Sequence, residues 1–331
     1  MAQKDTNPYI YSDSNKRYMT YDWYMKERFG GKIAKVPLDI SLSCPNLDGS
    51  KGHGGCIYCQ NGSRSSIGES LAEQYENGVR TAGGKWLPVG YIPYLQSNTN
   101  TYGENGYLRS KYAEAASLPG AKMLDIATRA DCLGDDKLSL LEEAAENIPL
   151  TVELGLQTSD DNTAALINRC HSYGEFTEGY GRLRELAEKV NSRFPGKTIR
   201  GKLTEKRFTI CIHIINGLPE EGRDEMLKTA SDVAALAPDM VKIHLLHVLK
   251  DTGMEPLFLS GKYVPLERDG YVRTVCDQLE ILPPETVIAR VTGDGLADSL
   301  LAPLWSRRKT EVQNEIDKEL YRRGTYEGYS Y

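Results

Sequence analysis

The sequence predicts an α/β protein whose parallel strands close part of a barrel, most simply a partial (β/α)6 barrel with short N-terminal and C-terminal extensions. Three observations point there. Short β-rich runs recur along the chain with amphipathic or polar helical stretches between them, the pattern of successive βαβ units. Those runs are mostly apolar throughout, so they should be covered on both faces. The chain has 331 residues, 40% of them apolar, which is enough for a sizeable core, and it contains no internal repeat or low-complexity linker.

Residues 1–24 are polar and tyrosine-rich, without the apolar stretch of a signal peptide, and no apolar span of about 20 residues follows. A cytoplasmic protein with no membrane partner is expected. Strand-like runs fall at residues 36–42, 89–95, 122–127, 150–156, 207–215 and 240–248. In the last of these, Val241, Ile243 and Leu245 alternate with Lys242 and His244. Helices are expected at 67–81, 105–117, 136–147, 160–170, 176–192, 220–236 and 266–282, many of them punctuated by Gly or Pro. A seventh strand-like run at 286–291 begins a tail that ends in a polar helix, 309–322, and a Tyr-Gly segment. The expected division is an N-terminal extension at 1–35, the barrel at 36–284 and a C-terminal extension at 285–331.

Forty Lys and Arg stand against 46 Asp and Glu, and a net charge of −6 argues against coating nucleic acid through charge alone. Any such contact must be local. Residues 197–207 carry Lys197, Arg200, Lys202, Lys206 and Arg207 against Glu205, and Arg307-Arg308-Lys309 follows Trp305. Such clusters either hold RNA phosphates, with Trp305 stacking on a base, or are solvated loops.

The seven cysteines are odd in number and unevenly spread, which suits a reducing compartment better than a disulfide scaffold. Three of them lie in Cys44-Pro-Asn-Leu-Asp-Gly-Ser-Lys-Gly-His-Gly-Gly-Cys56-Ile-Tyr-Cys59, directly after the first strand, at the end where α/β folds keep their chemistry. Gly49, Gly52, Gly54 and Gly55 let this loop curl so that Cys44 joins the C-x2-C pair. Three thiolates suffice for three irons of a [4Fe–4S] cube, leaving the fourth iron open to a ligand. The same spacing also suits a Cys44-His53-Cys56-Cys59 zinc site or a redox-active Cys56–Cys59 dithiol. Cys132, Cys211 and Cys276 read as small buried residues, although Cys132, near a strand end, is placed to reach a substrate. Glu153 and Gln157, four apart on a strand, should share a face, whereas His244 and His247, three apart, should not.

The cysteine loop is followed in order by Tyr94-Leu-Gln-Ser-Asn-Thr-Asn-Thr-Tyr102, Thr128-Arg-Ala-Asp-Cys-Leu133, Glu153-Leu-Gly-Leu-Gln-Thr158, Asn168-Arg-Cys-His171, His213-Ile-Ile-Asn-Gly-Leu-Pro-Glu220 and Lys242-Ile-His-Leu-Leu-His247. Together with Arg28-Phe-Gly-Gly-Lys32 and Ala302-Pro-Leu-Trp305, this set resembles the radical SAM family of the YtqA/MnmL and YhcC type, over nearly the whole chain. The long cysteine spacing is closer to the radical SAM half of the elongator catalytic subunit than to the common C-x3-C-x2-C, but no acetyltransferase half is expected here.

The resemblance implies a radical SAM barrel in which Cys44, Cys56 and Cys59 hold the [4Fe–4S] cluster. S-adenosylmethionine would chelate the open iron and be cleaved to a 5′-deoxyadenosyl radical. It further implies Tyr58 against the adenine, and Gln96, Asn98 and Thr99 in place of the usual Gly-Gly-Glu at the amino group. Glu153 and Gln157 would meet the ribose and methionyl groups, and Arg169 the carboxylate, with His213 and Asn216 completing the cofactor site. Relatives commonly have Arg-Gly-His where this chain has Arg169-Cys170-His171. Implied partners are a tRNA, modified at a wobble-uridine carboxymethylaminomethyl group, and an electron donor such as a flavodoxin or ferredoxin. A small metabolite or peptide substrate, or a zinc-stabilised binding module, are the competing readings.

Overall fold

The computed structural model describes residues 7–60, 68–293 and 298–331. Seven strands form one parallel sheet in chain order: β1 (Ile33–Leu38), β2 (Gly90–Leu95), β3 (Leu124–Thr128), β4 (Leu150–Gln157), β5 (Phe208–Asn216), β6 (Met240–Leu245) and β7 (Val287–Arg290). Each strand pairs with the next, so the sheet curls into a partial barrel with all strand C-termini at one rim.

The returning helices cover the outer face. They are α2 (Leu71–Gly83), α3 (Asn105–Ala116), α4 (Asp135–Asn147), the short α5 (Asp161–Leu166) with α6 (Tyr173–Arg193), α7 (Arg223–Leu236), and α8 (Met254–Leu259) with α9 (Arg268–Ile281). The expected first residue of α2, Ile67, lies outside the described residues. Side chains alternate along the strands. Val36, Leu38, Ile126, Val152, Leu154, Ile210, Ile212, Ile214, Val241 and Ile243 face the helices in one continuous core.

The inner face is built differently. At the strands' N-terminal ends, Ile33, Ile92, Met123, Cys211, Met240 and Val287 pack on Tyr9, Tyr11, Met19, Trp23, Tyr24 and Met25. The polar, tyrosine-rich start of the chain therefore floors the barrel. Helix α1 (Tyr21–Phe29), N-capped by Thr20, spans from β1 to β7, and Ile288 N donates to Met19 O at 2.8 Å.

The seventh run, read from sequence as the start of a tail, joins the sheet. Val287 and Ile288 pair with Met240 and Val241, which lengthens the barrel wall by one strand. Strand β1 also begins earlier than expected and ends at Leu38, because Lys35, which looks like a break in an apolar run, is an interior residue. Helix α10 (Lys309–Arg323) buries Val312, Ile316 and Leu320 against α9. Beyond it Glu327, fully buried, accepts hydrogen bonds from Met19 N and Tyr9 Oη, each at 2.7 Å. Burial holds that carboxyl well above its ordinary range.

Candidate functional site

The loop between β1 and α2 presents Cys44, Cys56 and Cys59 at the C-terminal rim. Gly49, Gly54 and Gly55 take positive φ, as a loop folding back on itself requires. Its fixation comes from elsewhere in the chain. Asn168 Nδ2 donates to Gly55 O at 2.7 Å and to His53 O at 3.0 Å, Ile57 N donates to Ile167 O at 3.1 Å, and Asn46 Nδ2 donates to Asn168 O. On the other side, Thr99 N donates to Ser43 O, and the Asn98 amide to Leu42 O. The 96–100 loop is thereby tied to the residues that lead into Cys44, with Gln96 exposed beside it.

The donor set suits thiolate ligands. A hydrogen bond from Cys59 is the first cause drawing the Cys56 thiol down to about 6, with Tyr58, Arg129 and Asn46 lowering it further against burial. Arg129 is buried, grips Asp131 through two 2.9 Å bonds, and sets its charge beside the cysteines. Against burial, Arg129, Lys51 and His171 hold Asp131 at about 2. Arg129 is a residue the sequence reading did not single out, although it stands in the quoted Thr128–Leu133 run.

The zinc arrangement does not form. Tetrahedral zinc with bonds near 2.3 Å needs ligand atoms within about 4 Å of one another. Among the described residues, the trio whose ligand atoms come within 4.8 Å is Glu153, Cys211 and His213, not any three of Cys44, His53, Cys56 and Cys59. His53 is exposed and folds over Gly49, where a Cβ would lie 2.6 Å from its Cε1.

Behind the loop, Asn168 and Cys170 both adopt left-handed backbone, with φ of 56° and 59°. The turn that glycine makes easily is therefore kept with a cysteine, at a cost of about 1 kcal/mol. The expected helix 160–170 stops at Leu166 for this reason. Arg169, expected to meet a carboxylate, is instead enclosed. Its guanidinium donates to Thr158 O at 2.5 Å, to Leu156 O at 2.5 Å and twice to His171 O, at 3.0 and 2.9 Å. Asn216, three residues from His213, turns to the helices and exchanges two 2.8 Å amide bonds with Gln278 of α9.

Inside the barrel, Glu153 is 1% exposed and forms a hub. Its carboxylate accepts from Lys35 at 2.8 Å, Lys242 at 2.5 Å, Tyr94 Oη at 2.5 Å and His213 Nε2 at 2.9 Å. Lys35 also pairs with the buried Asp125. Burial opposes ionisation of Glu153, yet Lys242, Lys35 and His213 hold its carboxyl well below the ordinary range. Two lysines on one carboxylate leave the Glu153-Cys211-His213 trio unsuited to a cation. Lys35, Asp125 and Lys242 were missed from sequence. Their signal was a single charge at the inward phase of an otherwise apolar strand.

The shared face of Glu153 and Gln157 is interrupted by a bulge, which pairs Gln157 with Ile214. Gln157, at φ 70°, folds back over Gly155, where a Cβ would lie 2.5 Å from its Nε2. His244 and His247 are not opposed either, because β6 ends at Leu245 and the chain turns. A Cβ on Gly293 would lie 3.1 Å from His247 Cε1 and 3.8 Å from His244 Nδ1. Tyr58 packs against a cluster containing Ile167, Leu218 and Met254. Cys211 and Cys276 are fully buried, whereas Cys132 lines a cavity of about 310 Å³ with Ser50, Lys51, Tyr102, Asp131 and Lys137.

The basic run 197–207 lies at the floor, away from the cysteines, and Ile199 packs among the floor residues. Three of its charges are engaged: Arg200 with Asp13 and Glu27, Lys206 with Asp239, and Arg207 with the carbonyls of Ala145 and Glu146. Trp305 donates from Nε1 to Leu266 O and packs on Tyr271, so its ring is a packing element. No helix among the described residues is long and apolar enough to cross a membrane.

Residues 238–322 match the Radical_SAM C-terminal domain. YtqA of Bacillus subtilis is 42% identical over 97% of this chain and 95% of its own, and YhcC of Escherichia coli K12 is 33% identical over 91% of each. The chain belongs to the radical SAM family. A tRNA uridine(34) acetyltransferase of Dehalococcoides mccartyi is 26% identical over 54% of this radical SAM chain and 36% of that protein. The fold also matches the solved Elp3 of Methanocaldococcus infernus, with a TM-score of 0.64 at 14% identity, over 89% of this chain and 64% of that one. The partial barrel is thus the radical SAM barrel, and it supports an enzyme.

Two outcomes are expected. Glu153→Gln leaves two buried lysines facing a neutral amide and should lower stability by about 3–5 kcal/mol in denaturant unfolding. A loss under 1 kcal/mol would mean the hub is not held by its charge. In the metal-free chain at pH 7, iodoacetamide should label Cys56 ahead of Cys132, whose thiol burial pushes up to about 12; peptide mass spectrometry reads the order.

Proposed function

We propose that this chain holds a [4Fe–4S] cluster through Cys44, Cys56 and Cys59 and uses S-adenosylmethionine to start radical chemistry on a tRNA wobble-uridine side chain. The observation that carries the first half is the presentation of three thiols on one rim loop, with Cys56 acidic and Arg129 beside them. A [4Fe–4S] cluster held by Cys44, Cys56 and Cys59 would supply the one-electron reduction of S-adenosylmethionine that starts radical chemistry.

The chain's own residues do the rest. Arg129 offsets thiolate charge, and the Asn168 clamp fixes where the three sulfurs stand. Gln96, Asn98 and Thr99 border the loop at the site proposed for the cofactor amino group, and Tyr58 and Gln157 lie on the adjoining rim. Glu153 and the neutral His213 hydrogen-bonded to it shape the lumen, while Arg169 and Asn216 hold the framework. Support for the wobble-uridine half is the similarity to a tRNA uridine(34) acetyltransferase. The competing substrates, a small metabolite or a peptide, have no observation in their favour beyond the barrel itself.

After anaerobic reconstitution, the chain should be brown and release 5′-deoxyadenosine from S-adenosylmethionine. Cys44→Ala, Cys56→Ala and Cys59→Ala should each abolish that release, whereas His53→Ala should keep its iron. Full release from any of the three cysteine variants overturns the ligand assignment. For the substrate, nucleoside mass spectrometry of tRNA from cells lacking the gene should show an altered wobble uridine; an unchanged profile overturns the tRNA half alone.

A further inference from the structure

Asn46 stands two residues after Cys44 and is 0% exposed, in a loop whose other polar side chains are half-buried or exposed. Its backbone is held at both ends of that loop. Cys44 O accepts from Leu47 N at 2.8 Å and from Asp48 N at 3.3 Å, which puts Asn46 inside a turn that Cys44 opens. Asn46 O accepts in turn from Gly55 N at 2.8 Å, beside Cys56. The side chain makes a further link: its Nδ2 donates to Asn168 O and to the Cys56 sulfur, the latter at 3.5 Å, an ordinary length for a bond to an atom as large as sulfur.

The amide has one way round. An NH2 group carries two N–H bonds, one for Asn168 O and one for the sulfur; turned over, its carbonyl oxygen would face a second carbonyl oxygen and a thiolate, neither of which donates. The other half of the amide gains nothing, since Oδ1 is buried without a hydrogen-bonding partner among the described residues. Buried polar atoms are nearly always satisfied, so a side chain kept at this cost is kept for its NH2 group. Gly52 leaves the room it needs, for a Cβ there would lie 2.5 Å from Oδ1.

We propose that Asn46 is a positioning residue that acts through Cys56, its N–H···S bond raising the reduction potential of the cluster. The proposal rests on the [4Fe–4S] reading of Cys44, Cys56 and Cys59. Reduction adds one negative charge, spread in part over the sulfurs, and a donor aimed at one of them favours the reduced form. Cys59 also hydrogen-bonds to Cys56 in the metal-free chain, but a thiol gives up its proton on binding iron, whereas an amide has no such proton to lose. Asn46 is thus a donor that outlasts ligation.

The test is a potentiometric titration of the full chain after anaerobic reconstitution, followed by the EPR signal of the reduced cluster in the absence of S-adenosylmethionine. Two variants remove the donor: Asn46→Leu, which keeps the volume, and Asn46→Ser, whose side chain is too short to reach the sulfur. Asn168→Gly is the control for a loosened loop. It removes the bonds to Gly55 O and His53 O, keeps the carbonyl that Asn46 meets, and suits the φ of 56°. Both Asn46 variants should move the ratio of oxidised to reduced cluster about tenfold toward oxidised at a fixed potential, which is about 59 mV for one electron, and Asn168→Gly should not. Wild-type potentials in the Asn46 variants overturn the inference and leave the cluster reading standing. So does an equal shift in Asn168→Gly, which assigns the effect to loop fixation, and so does loss of the cluster from both Asn46 variants, which assigns the amide to assembly. A wild-type chain that takes up no iron–sulfur cluster overturns the reading and the inference together.

Discussion

The carboxylate of Glu153 is the point on which the interior turns. Removing a charge from water costs several kcal/mol, and that cost is offset only where partners and hydrogen bonds are complete. Here the completion comes from four other strands: Lys35 on β1, Tyr94 on β2, His213 on β5 and Lys242 on β6. An apolar filling could bind the same strands, but it would not fix which strand stands opposite which. Charges in one layer do so, because a register slip by a single residue would turn a lysine outward into the helix layer.

Above that layer the rim becomes a place for chemistry because its loops are held by one another. The cysteine loop has no regular structure, yet Asn168 and Asn46 fasten it to the turn after β4, and Lys51 pairs with Asp131 in the turn after β3. Cys170 shows how tightly these parts meet. A Cβ on Gly52 would lie 2.6 Å from its sulfur and 2.5 Å from Asn46 Oδ1, so Gly52 is needed for the close approach of the two segments. Arg169 sits beneath as a knot of carbonyl contacts, so the turn holds its shape although its φ angles disfavour the residues that occupy it.

The strand and helix order was legible because apolar runs and Gly or Pro breaks alternate with the period of βαβ units. The cysteine loop was legible because three thiols so close after a strand have few uses. The missing parts share a cause. Lys35 reads as a boundary until its partners on distant strands are known, and the four-residue β7 is defined by the neighbours it pairs with. Arg169 stood out as a charge, but its partners are backbone carbonyls, which leave no mark in a sequence. Asn216 is different, since a spacing of three from His213 already places it on the opposite face. Gln157 escaped the same parity rule through a bulge, and His247 through the end of β6.

The floor of the barrel carries a consequence for the order of events during synthesis. Met19 and Glu327, joined by a hydrogen bond, are separated by 308 residues, so the floor cannot close until nearly all of these residues have left the ribosome. The cysteines, by contrast, emerge soon after β1, at a time when the strands carrying Lys242 and His213 do not yet exist. For most of its translation the nascent chain therefore displays these three thiols on an unfinished wall. On the proposed function, a cluster would be assembled after the ends have met.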